Sequence, residues 1–121
     1  MTRTAVIRVQ RETDAVLADL RGRFLAAWHH GDYQGEVFVF ESPGALFRVL
    51  TPNRWGLIER LQFIGPLEMP ALARALGRDA KRVDADCQVL LETGLIEADA
   101  DGRLCVPFAE IRADFALRGA A

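Results

Sequence analysis

The sequence predicts an α+β fold. Three observations predict it: a period of two over residues 4–9, apolar residues at helical spacing over much of residues 12–94, and a glycine-containing turn between two short apolar runs at 95–106. At 121 residues, half of them hydrophobic, the chain can bury the core of one ordinary domain and carry an added element.

Each element has its own signal. Ala5, Ile7 and Val9 alternate with Thr4, Val6 and Arg8, which predicts a short strand. From Glu12 to His30 the period changes: Val16, Leu20, Phe24, Ala27 and Trp28 form one stripe of a long helix that stops at Gly31. Glu36 to Glu41 is a strand apolar on both faces and is expected to be covered on both sides. Ser42-Pro43 and Thr51-Pro52 each set a capping hydroxyl before a proline at the first helical position. The second of these helices is expected to point Trp55, Ile58, Leu61 and Ile64 inward and to stop at Gly65-Pro66. Met69, Leu72, Ala73 and Leu76 stripe a third helix that Gly77 ends. Arg78-Asp79 opens a fourth, striped by Val83, Cys87, Leu90 and Leu91 and closed by Gly94. Leu95 to Glu97 and Arg103 to Val106 flank the turn Asp99-Ala100-Asp101-Gly102 and predict a hairpin. Ile111, Ala113, Phe115 and Leu117 alternate with Arg112, Asp114, Ala116 and Arg118, a last strand.

Two helices joined by a tight glycine turn and followed by a hairpin make a winged helix-turn-helix. The expected organisation is that module with an added N-terminal strand–helix–strand element and a C-terminal strand. Residues 1–41 are expected to be the dimerisation element, and 42–121 the DNA-binding unit including the last strand. Val16, Leu20, Phe24 and Trp28 either meet a second chain in a homodimer or cover this chain's own core. A dimer suits the function, because one small module buries too little surface for high specificity and two-fold symmetry reads two half-sites.

The net charge of −2 excludes a globally basic coat, so any nucleic-acid contact needs a local patch. One exists. Residues 74–83 hold the bases Arg74, Arg78, Lys81 and Arg82 against one acid, Asp79, whereas residues 84–101 hold six acids and no base. With Val83, Cys87 and Leu90 facing inward, Arg78, Lys81, Ala85 and Gln88 are expected to face outward, with Arg82 on the flank. Arginine and lysine suit phosphate or guanine, glutamine suits adenine, and alanine lets a thymine methyl approach. The helix over residues 79–93 is thus the expected reader of the major groove of double-stranded DNA. Arg74 and Arg103 support it, Arg103 either at DNA or paired with Glu97 or Asp99 across the hairpin.

No catalytic set assembles from one serine (Ser42), two cysteines (Cys87 and Cys105) and the adjacent His29 and His30. Catalytic residues, metal and cofactors are therefore expected to be none, and both cysteines are expected to be small hydrophobes. No apolar run approaches the length of a bilayer span and no signal core follows Met1-Thr2-Arg3, so the expected location is cytoplasmic, with no membrane partner.

The blocks Phe40-Glu41-Ser42, Leu50-Thr51-Pro52-Asn53-Arg54, Ala73-Arg74-Ala75-Leu76-Gly77-Arg78-Asp79 and Leu91-Glu92-Thr93-Gly94-Leu95-Ile96-Glu97 resemble a family of small prokaryotic MarR-like winged-helix proteins. The resemblance runs from about Ala5 to Leu117. It implies a sequence-specific transcriptional regulator, a repressor by steric occlusion. Because family members also look like antitoxins, it implies as the alternative a protein that neutralises a toxin partner and regulates its own operon. The chain lacks the family's usual aromatic, histidine and arginine in the recognition helix, and it adds Asp84. The resemblance therefore speaks more to the scaffold than to base readout.

Overall fold

The computed structural model describes residues 3–9 and 35–116. The described residues form an α+β protein with the order β1 (Thr4–Val9), β2 (Gly35–Phe40), α1 (Pro43–Val49), α2 (Pro52–Ile64), α3 (Met69–Leu76), α4 (Ala80–Thr93), β3 (Glu97–Ala98), β4 (Leu104–Cys105) and β5 (Glu110–Asp114). The expected helix over residues 12–30, with Val16, Leu20, Phe24 and Trp28, lies outside the described residues.

The chain divides into two packing units. The first comprises residues 1–48 and 110–121. Its sheet has the order β2-β1-β5, with β1 parallel to both neighbours. Ala5 and Ile7 on β1 are buried, as their alternation predicts. Arg3 pairs with Glu36 on β2, and Arg8 Nη1 lies 3.8 Å from Asp114 Oδ2, its register partner on β5. Strand β2 differs from expectation. Val39 is 48% exposed, so this edge strand is not covered on both faces. The expected division at residue 41/42 also differs. The last strand belongs with the N-terminal residues because β5 pairs with β1 and not with the helical unit.

The second unit is Val49–Ala109. Its core is built from Leu57, Ile58 and Leu61 of α2, Leu72 and Ala73 of α3, Val83, Cys87 and Leu90 of α4, and Leu95, Ile96, Leu104 and Phe108 beyond. Helix α2 begins as its sequence signal predicts, with Thr51 Oγ1 accepting the Arg54 backbone N–H at 3.3 Å. Ile64, expected inward, is 41% exposed. It sits in the last turn, beyond the Leu57–Leu61 stripe, where the chain leaves through Gly65.

Gly77 takes the left-handed conformation (φ 64°) that ends α3, and the Arg78 N–H bonds back to the Ala73 carbonyl at 3.1 Å. Asp79 then caps α4, its carboxylate accepting the Arg82 N–H at 3.2 Å. Gly94 (φ 90°) closes α4 in the same left-handed way. Strands β3 and β4 pair antiparallel, and Leu67 adds a further antiparallel bridge to Leu104 through bonds of 3.0 and 2.7 Å. No helix among the described residues is long and apolar enough to cross a membrane.

Candidate nucleic-acid interface

Helix α4 dictates the site by what it must bury. Val83, Cys87 and Leu90 are buried, so the residues about half a turn away must meet solvent. Lys81, Ala85 and Gln88 are exposed along one stripe at i, i+4 and i+7, and Arg82 is exposed on its flank. Arg74 on α3 is exposed as well. Five of the seven residues assigned to DNA from sequence therefore lie on solvent-facing positions of α3 and α4. The exposed acid Asp84 flanks the stripe from the other side.

Arg78 does not join them. Its Nη2 donates to Asp86 Oδ2 at 2.7 Å, and Arg54 Nε on α2 donates to Asp86 Oδ1 at 2.9 Å. Arg54 Nη1 also donates to the Val49 carbonyl at 2.9 Å. Arg78 thus holds the α3–α4 turn to the body of α4 instead of presenting its charge outward, because a buried carboxylate needs its two oxygens satisfied. Burial alone would push the Asp86 carboxyl up. The hydrogen bonds from Arg78 and Arg54, and then their charges, outweigh it and hold the group below its ordinary value. Among the described residues Asp86 pairs with Arg54 and Arg78 and not with Arg82 one turn before it.

This triad escaped the sequence reading, although one signal was available. Asp86 stands four residues before Leu90, at the edge of the apolar arc of α4 and about 40° outside it. An acid there requires a cationic partner.

Arg103 is paired within the hairpin. Its Nε donates to Asp99 Oδ2 at 3.1 Å and its Nη2 to Asp101 Oδ2 at 3.3 Å. Asp99 also accepts the backbone N–H groups of Arg103 and Asp101, each at 2.9 Å. The Arg103 N–H is the chief cause holding the Asp99 carboxyl below its ordinary value. The hairpin tip is thus an acid-rich turn closed by its own arginine.

Cys87 is buried, and burial first, then the Asp84 and Asp86 carboxylates, push its thiol up to about 11. At neutral pH the thiolate fraction is then on the order of one in ten thousand. The expected outcome is that peroxide leaves the function of this helix unchanged and that alkylating reagents reach Cys87 only on unfolding, read by peptide mass spectrometry. An oxidant-dependent loss of DNA binding that disappears in Cys87→Ala would contradict it.

A family model described as HVO_A0114 matches residues 49–113, more than half of the chain. The chain belongs to the HVO_A0114 family. The match spans the whole second unit and most of β5. No curated protein and no solved structure matches the chain.

Proposed function

We propose that this HVO_A0114 family protein is a sequence-specific DNA-binding regulator, a dimeric repressor with the MarR-like winged helix-turn-helix arrangement, reading the major groove with α4. The observation that carries the reading is the outward stripe of α4. Lys81, Arg82, Ala85 and Gln88 stand free of the core on a helix whose base is clamped by Arg54, Asp86 and Arg78. Such pre-positioning favours readout, since recognition needs side chains held in register on a rigid element. The order of α2, the Leu67 bridge, α3, α4 and the β3–β4 hairpin supports the winged arrangement.

Within this reading Lys81, Arg82 and Arg74 supply charge, while Gln88 and Ala85 supply discrimination. Arg78 is a positioning residue, and the wing contributes little attraction because Asp99 and Asp101 occupy its tip.

The test is selection of bound duplexes from a random pool, read by sequencing. The expected result is an enriched motif with two related half-sites. Gln88→Ala is expected to relax preference at one base position of each half-site, by about 1–3 kcal/mol, with a smaller change in overall affinity. A pool that stays unenriched would remove the regulator reading and favour a protein partner, as in the antitoxin alternative.

A further inference from the structure

Helix α2 carries one large apolar side chain away from its buried side. Leu57, Ile58 and Leu61 face the core, yet Phe63 in the last turn is 84% exposed. Gly56, Glu59, Arg60 and Phe63 follow the spacing i, i+3, i+4, i+7, so they form one outward stripe two turns long. This stripe and Leu76 of α3 line an open groove of about 720 Å³ within the second unit. A Cβ added at Gly56 meets nothing within 4 Å, so the glycine is a notch in the surface and not a packing necessity of this chain.

The stripe is its own complement. Glu59 and Arg60 are adjacent at its centre, and the notch at Gly56 and the knob at Phe63 lie equally far on either side. A two-fold axis passing between Glu59 and Arg60 sets each acid against the other copy's base. The same axis sets each Phe63 over the other copy's Gly56. Isologous contacts of this kind are the commonest way for a chain to pair with itself. An unrelated partner has no reason to match both the charge order and the knob-to-notch spacing.

We propose that the α2 stripe is a surface on which a second copy of this chain docks, with the two α2 helices antiparallel. The proposal deepens the dimeric part of the functional reading by naming a contact surface outside the segment over residues 12–30. It takes no support from DNA binding.

The test is the mass of the full chain across the micromolar range by sedimentation equilibrium, with circular dichroism to confirm folding. The wild type is expected to be a dimer. Arg60→Glu is expected to weaken it about tenfold or more, because like charges then face one another. The double change Glu59→Arg with Arg60→Glu restores the charge match and is expected to restore the dimer. Gly56→Leu fills the notch, its Cβ meeting nothing within 4 Å in the single chain, and is expected to weaken the dimer without loss of helix.

A wild-type monomer throughout would overturn both this surface and the dimeric reading. A dimer indifferent to Arg60→Glu and Gly56→Leu but split by Leu20→Asp would overturn this surface alone. DNA titration of the same proteins reads the regulator proposal separately.

Discussion

Asp86→Ala is expected to lower the unfolding free energy by about 3 kcal/mol, the low end of the range for breaking a buried ion pair by removing one partner. The loss is large because one carboxylate serves two guanidinium groups, at 2.9 Å from Arg54 and 2.7 Å from Arg78. It falls at the low end because the two arginine side chains keep 20% and 21% exposure and recover some hydration. In a unit of this size the midpoint temperature should drop by roughly 15 °C. Urea or thermal denaturation measures it, and a variant as stable as the wild type would show that the triad contributes nothing.

The same carboxylate fixes a pH dependence. Its folded-state value lies below the ordinary 3.8, so in acid the unfolded chain binds the proton first. Its contribution is complete above the unfolded value and is lost as pH falls through the lower, folded one. Asp86→Asn is therefore expected to flatten the acid limb of the stability curve below about pH 4. An acid limb of unchanged steepness would assign it to other carboxylates.

The second large effect concerns DNA. Changing Lys81 and Arg82 together to Glu is expected to weaken binding about 100-fold or more, taking about 1–3 kcal/mol for each contact removed and adding the repulsion of two new acids. Both side chains are exposed on α4 and neither belongs to its buried stripe, so the variant should fold like the wild type. Arg78→Ala should behave differently. It lowers stability through Asp86, and its effect on DNA binding should follow the displacement of the α3–α4 turn.

How much of this was legible in the sequence depends on how far each interaction reaches along the chain. The caps at Ser42, Thr51 and Asp79 and the left-handed glycines Gly77 and Gly94 act within a few residues, and each ends or starts a helix where its residue type demands. The buried stripe Val83, Cys87 and Leu90 follows from period alone.

What stayed hidden were pairings across long stretches of chain. Arg54 and Asp86 are 32 residues apart, and nothing local distinguishes Arg54 from a solvated arginine. The Leu67–Leu104 bridge is one residue long and leaves no alternating pattern to read. The parallel register that joins β5 to β1 likewise has no local signature, so the sequence alone places the last strand with the helical unit. Period also misplaced Ile64, which lies where α2 has outrun its core and is exposed despite its apolar side chain.

The most direct test of α4 as the reader of DNA is the salt dependence of binding. Fluorescence anisotropy of a labelled duplex bearing the selected motif is followed across a salt series for the wild type, Lys81→Ala and Arg82→Ala. If these side chains neutralise phosphates, each substitution lowers the slope of log affinity against log salt by about one. If one contacts a base, its loss instead falls mainly on the specific duplex. Slopes and affinities equal to those of the wild type in both variants, and in the double change to Glu, would contradict the account.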